Sequence, residues 1–181
     1  MNELANTKAL IIDVRFNGGG KDEVGMAVLQ RLNATEKVTF TKKGKHGTSF
    51  TPLNRVTQAA SNNPYNKPVY LLIATESASA TEIMALSAMS LPNITSIGAR
   101  TEGVFSDILD KELPNGWTFG LSNEVYQDLN GINYEGLGIP PEIEVEYPRD
   151  TQRFLRKVTD DLKEKGDRAI EKARTLALQE K

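Results

Sequence analysis

Residues 69–90 read VYLLIATESASATEIMALSAMS, and they decide the fold. Val69 to Ala74 is an apolar run too short for a helix and without alternation, which predicts a strand buried on both faces. Glu76 to Thr81 is a run of small and polar residues. Glu82 to Ser90 is a strong helix former with little charge, so it predicts a helix that is almost wholly buried. The same grammar stands upstream. Lys8 to Val14 (KALIIDV) predicts a buried strand, Arg15 to Gly20 (RFNGGG) a glycine turn, and Val24, Met26, Ala27, Val28, Leu29 and Leu32 a packed helix with Asp22 as its cap. Ile94 to Gly98 predicts a third core strand. Strands alternating with helices make βαβ units, hence an α/β fold around a mostly parallel layer.

Outward from this core the pattern changes. Lys37 to Thr41 alternates as a strand, Lys42 to Gly47 (KKGKHG) reads as a basic turn, and Arg55 to Ala60 as a short helix stopped by Asn62-Asn63-Pro64. Phe105 to Leu113, Trp117 to Leu121 and Glu124 to Gln127 read as antiparallel strands around Pro114-Asn115-Gly116 and Asn130-Gly131, and Ile143 to Val145 as a short strand. Arg149 to Lys181 carries ten basic and seven acidic residues. Its Phe154, Leu155, Val158 and Leu162, then Ile170, Ala173, Leu176 and Ala177 past Gly166, have helical spacing. This predicts an amphipathic C-terminal helix, packed on the body or offered to a partner.

Composition sets bounds. The chain has 181 residues, 22 Lys+Arg against 24 Asp+Glu, and 39% hydrophobic residues, the proportions of one globular domain. It has no cysteine and a single histidine, His46. That excludes a Cys nucleophile, a thiolate metal site, an iron–sulfur cluster and a two-His metal site built from this chain alone. No apolar run approaches the ~20 residues of a membrane span. The start, MNELANTKALIID, lacks a basic region ahead of an apolar stretch, so it is not a signal peptide. Near-neutral charge argues against nucleic acid as a partner.

Two corners carry candidate chemistry. Asn17-Gly18-Gly19-Gly20 is either a plain turn or a loop whose backbone N–H groups face a ligand; no Gly-Lys-Ser/Thr follows, so it is not a phosphate-binding loop. Ser77 to Glu82 is either a helix cap, with Glu82 three residues after Ser79 as in a capping box, or a corner presenting a hydroxyl beside helix N–H donors. If the two preceding strands are neighbours, both corners open on one sheet edge, a layout for acyl transfer.

At these residues the chain resembles the tail-specific (C-terminal processing) serine peptidases. IIDVRFNGGG is similar to their Asp-Leu-Arg-x-Asn-x-Gly-Gly signature, and PVYLLIATESASATEIMALSAM to their nucleophile segment. NITSIGARTEG is similar to a Gly-x-x-Thr-x-Gly turn, and YEGLGIPPEIEV to their closing segment. The resemblance implies a ClpP/crotonase-like core of ββα units over residues 1–147, with the N-terminal part of the family domain missing, and a helical tail over 148–181. It implies Ser79 as nucleophile in preference to Ser77, and the N–H groups of Ala80 and of Gly19 or Gly20 as oxyanion hole. Asp13, Arg15 and Asn17 become structural, with a buried Arg–Asp pair. One branch uses a Ser–Lys dyad, but no lysine lies between Lys67 and Lys111. The other, tricorn-like branch uses histidine with a supporting serine and glutamate; Glu135 matches the glutamate. The histidine belongs to sequence upstream of this chain, which the resemblance therefore makes a fragment or a truncated member.

His46, among lysines and glycines, reads as a surface residue rather than the base. Glu82 and Glu102 read as capping or surface charges, and Tyr126, Tyr134 and Trp117 as packing of the hairpin region. The resemblance further implies a polypeptide substrate, no cofactor or metal, and a periplasmic or secreted parent; strand addition beside the glycine loop is the expected mode of docking. Two other classes stay open: a crotonase-like thioester enzyme and a non-catalytic peptide-binding or assembly module.

Overall fold

The computed structural model describes residues 2–164 and 166–179. After a short 3-10 turn, the elements in chain order are β1 (Leu10–Asp13), α1 (Asp22–Gln30), β2 (Lys37–His46), β3 (Ser49–Phe50), β4 (Asn54–Gln58), β5 (Val69–Ile73), α2 (Ala80–Ala88), β6 (Ile94–Gly98), β7 (Ile108–Glu112), β8 (Thr118–Ser122), β9 (Glu124–Gln127), β10 (Ile143–Glu144), α3 (Thr151–Glu164) and α4 (Arg168–Gln179). The fold is mixed α/β.

The parallel sheet has the order β1-β5-β6-β10. Every residue of β5 is buried, and the period of two explains why. Val69, Leu71 and Ile73 face the larger core with Ile83, Leu86 and Met84 of α2. Tyr70 and Leu72 face a second core with Ile97 and with Ala169 and Ala173 of α4. A continuous apolar run is what a strand covered on both faces requires. Helix α1 packs on α2, and Gly25 sets the spacing: a Cβ there would stand 2.9 Å from Met84 Cβ.

Two expectations for residues 37–60 do not hold. Lys42 to His46 continue β2, with the tight turn confined to Gly47 and Thr48, where Gly47 has φ 58°. The basic run is extended because β2 ladders to both β4 and β9. The lysine heads find partners across the strands: Lys42 pairs with Glu124 at 3.1 Å, and Lys43 and Lys45 each lie 4.8 Å from the Phe50 ring centre. Residues 55–58 form β4, not a helix; their exposure ends in a half-buried Val56 and a buried Gln58 two residues on, and pairing with β2 decides the conformation.

Beyond the core, β7 and β8 form the expected antiparallel hairpin, with Leu109 opposite Leu121 and Lys111 opposite Phe119, every residue exposed. Tyr126 and Tyr134 are buried, whereas Trp117 is 72% exposed and packs nothing away. Asp22 is the first residue of α1 rather than its cap; Lys21 takes that position without a side-chain bond. The tail is two helices, not one, divided at Gly166 with φ 83°. No helix among the described residues is long and apolar enough to cross a membrane.

Candidate active site

Because β1 and β5 are parallel neighbours, with Asp13 opposite Leu72, the glycine corner and the serine corner leave the sheet at the same edge. Three bonds fasten them together. Val14 N–H donates to Leu72 O at 3.0 Å, Ala78 N–H to Asn17 O at 3.2 Å, and the Ser77 hydroxyl to Val14 O at 2.9 Å. Ser77 also accepts Ala74 N–H at 3.1 Å and is fully buried. Its hydroxyl is spent on joining the two strand ends, which separates its role from that of Ser79.

Ser79 has φ 54° and ψ −125°, and among the described residues it is the one non-glycine with positive φ. Such a conformation costs about 1–3 kcal/mol and persists only where the surroundings impose it. Here they do. Ser79 N–H donates to Val104 O at 3.0 Å and lies 3.3 Å from Glu82 Oε2, and the Ser79 carbonyl receives Glu82 N–H at 2.7 Å. Gly19 presses on it from the other corner: a Cβ at Gly19 would stand 2.7 Å from Ser79 Cβ and 3.1 Å from its hydroxyl oxygen. With φ 118° as well, position 19 admits only glycine without strain.

Glu82 closes the capping box expected from its place three residues after Ser79, but it is no surface charge, and it organises more than the helix end. It is wholly buried. Oε1 accepts the Thr101 hydroxyl at 2.5 Å and Gly103 N–H at 2.7 Å; Oε2 accepts Val104 N–H at 2.7 Å. Burial prevails and holds its carboxyl above the ordinary range, while these four donors, Ser79 N–H included, oppose the shift. Its signal in the sequence was a lone carboxylate in a helix otherwise free of charge.

Turn 101–106 in turn rests on residues 134–139. Gly136 N–H donates to Gly103 O at 2.7 Å, Ile139 N–H to the Thr101 hydroxyl at 2.7 Å, and a Cβ on Gly103 would meet the backbone of residues 136–138. Glu135 itself is exposed. Its Oε2 accepts Phe105 N–H at 2.9 Å and Ser106 N–H at 3.0 Å. It makes no bond to Ser79; it holds the loop whose Val104 carbonyl holds Ser79.

A cavity of about 320 Å³ opens beside these corners, with Gly19, Gly20 and Ala80 in its lining and Val24, Val28 and Met84 as apolar wall. The three backbone groups proposed from sequence therefore meet at one place, but not equivalently. Gly19 N–H is already committed to Asn17 Oδ1 at 2.9 Å. Among the described residues, Gly20 N–H and Ala80 N–H have no internal acceptor. His46 ends β2 as an exposed residue.

The root of the glycine loop is held from beneath. Arg15 is buried and donates to Asp13 (Nε to Oδ1 3.0 Å, NH2 to Oδ2 2.6 Å), to Asp167 Oδ1 at 3.0 Å and to the Tyr147 hydroxyl at 3.1 Å. Burial works against its charge; the hydrogen bonds it donates to Asp13 and Asp167, with their negative charges, outweigh it and raise its pKa. The expected Arg–Asp pair is present, with Asp167 and Tyr147 as partners that no local pattern announced.

Comparisons with known proteins place the chain in a family. The model for "Peptidase family S41" matches residues 1–145. Among curated proteins the chain is 27% identical over 141 residues to the carboxy-terminal-processing protease of Bartonella bacilliformis, covering 78% of this chain and 32% of that protein. It is 27% identical over 146 residues to the carboxy-terminal processing protease CtpA of Bacillus subtilis, covering 81% and 30%. The chain thus spans about a third of the length of these relatives. Among solved structures, one from Parabacteroides merdae superposes with a TM-score of 0.81 at 30% identity, covering 96% of this chain and 53% of that one.

Proposed function

The chain belongs to peptidase family S41, and from that premise we propose that it is the catalytic core of a serine endopeptidase acting on unfolded or C-terminal peptide segments. Ser79 is the nucleophile. The observation that carries this reading is its positive φ at a strand-to-helix corner, against Gly19 and next to Ala80, both of which line an apolar cavity. A strained corner of this kind lifts a hydroxyl clear of the sheet. Ser79 Oγ adds to the scissile carbonyl, and the negative charge that develops on the carbonyl oxygen is met by the N–H groups of Ala80 and Gly20. Backbone donors suit this because they are already oriented when the charge appears. Gly19 serves by yielding space to Ser79, since its own N–H is committed to Asn17.

Glu135 keeps turn 104–106, and through it Ser79, in place; in the whole protein its free oxygen orients the base. That base is a histidine contributed from outside this chain, as in the tricorn-like branch. The ClpP/crotonase-like description fits the parallel sheet flanked by α2, with residues 1–147 as core and 148–181 as tail. The cavity walls of Val24, Val28 and Met84 favour an apolar side chain beside the scissile bond.

The test is the intact mass of the whole protein after treatment with a fluorophosphonate, alongside Ser79→Ala. The expected result is one adduct that the substitution abolishes while the protein stays folded. An adduct that survives in Ser79→Ala would overturn the assignment. A second reading, a peptide-binding module without turnover, would show peptide binding with no adduct.

A further inference from the structure

The tail that follows residue 145 does more than cover the sheet. Arg15 and Phe16 are consecutive and form the root of the glycine loop, and both are gripped by tail residues. Arg15 meets Asp167 twice, NH1 to Oδ1 at 3.0 Å and NH2 to Oδ2 at 2.7 Å, with both residues buried. Phe16, itself half exposed, lies 5.2 Å centre to centre from Phe154, which is fully buried on α3 and in edge contact with Tyr147. Asp167 is fixed in its turn, because Oδ1 also accepts Ala169 N–H at 3.0 Å and Ile170 N–H at 3.1 Å and so caps α4. The next residue of the loop, Asn17, gives its carbonyl to Ala78 and its side chain to Gly19 N–H. An unbroken set of contacts therefore runs from α4 to the glycine that touches Ser79.

We infer that Asp167 and Phe154 are positioning residues for the glycine loop: the C-terminal helices set where the Gly20 N–H stands relative to Ser79. This rests on the reading of Ser79 as nucleophile for its catalytic meaning, and on geometry alone for its structural meaning. The two can be tested apart. Asp167→Asn removes the charge that Arg15 needs but keeps an oxygen to cap α4, and Phe154→Leu removes the ring beneath Phe16 while keeping an apolar side chain.

The experiment is hydrogen exchange, read by mass on peptides spanning residues 14–21 and 83–88, with fluorophosphonate labelling rates on the same whole-protein samples. Asp167→Asn is expected to speed exchange in 14–21 with 83–88 unchanged, and to slow labelling of Ser79 by about tenfold or more. Against a peptide substrate the loss falls on kcat with KM held, as for a misplaced transition-state donor. Phe154→Leu is expected to act in the same direction and less strongly. Unchanged exchange at 14–21 in both folded variants overturns the inference. So does a labelling loss that matches the unfolded fraction and disappears on cooling. If the wild-type protein takes no label at all, the nucleophile reading fails, while the exchange result still decides whether the tail sets the loop.

Discussion

The two corners at the sheet edge look alike in sequence and are held by opposite means. The serine corner is secured chiefly by its own buried carboxylate: Glu82 gathers donors from Ser79 and from turn 101–104, no more than 22 residues away, while Ser77 adds one tie to β1. The glycine corner has exposed residues of its own and is secured from outside, by an ion pair 152 residues away in sequence. One corner fixes a single strained residue through a buried carboxylate. The other fixes a glycine-rich, exposed segment by anchoring its root. The contrast teaches that small residues at a corner mark where a ligand can approach, whereas rigidity comes from buried charge placed behind them.

This contrast can be broken at its strongest point first. Glu82→Ala leaves the N–H groups of Gly103 and Val104 and the Thr101 hydroxyl without their acceptor, and leaves Ser79 N–H with Val104 O alone. We expect a loss of roughly 3 kcal/mol or more in a urea titration, together with loss of fluorophosphonate labelling. A loss under 1 kcal/mol would mean that the serine corner is not held by this carboxylate.

Gly19→Ala addresses the contact between the corners. The added methyl would meet Ser79 Cβ at 2.7 Å, with φ at 118°, so a destabilisation of about 2 kcal/mol is expected. Ser79 labelling should fall further than the parallel change Gly18→Ala, where nothing lies within 4 Å. Equal effects at the two positions would sink the claimed contact.

The smallest effect is electrostatic and confined to the tail. Asp161 is paired with Lys157 at 2.9 Å and Arg168 at 2.7 Å. Its partial burial acts to raise its pKa, but the two partners prevail and hold it below the ordinary 3.8. A carboxylate with a lowered folded pKa contributes stability that is full above its unfolded value, 3.8, and is lost as pH falls through the lower folded value. Stability of the wild type measured from pH 5 downward should therefore drop more steeply below 3.8 than that of Asp161→Asn. Parallel curves would show the pairs to be inert.

The core was legible because its signals are local. The apolar runs of β1, β5 and β6 and the uncharged α2 each dictate their own structure, and the parallel pairing then brings the candidate corners together. What escaped depended on distant partners. Residues 42–46 look like a turn until β9 supplies Glu124 and β3 supplies Phe50. Residues 55–58 look helical until β2 pairs with them. At the site, Ser79, Ala80 and the glycines were visible as small residues next to strands. The committed Gly19 N–H was not, because it depends on where the Asn17 side chain turns. Asp167 was invisible for the same reason as β4: nothing near it in sequence names Arg15.

The Arg15–Asp167 pair also sets a clock. A ribosome adds about 5–20 residues per second, so Asp167 arrives roughly 8–30 s after Arg15. Until then the arginine has only Asp13, and the glycine loop lacks the pair that anchors its root. The glycine corner is therefore completed only after residue 167 has been made, however early its own residues leave the ribosome.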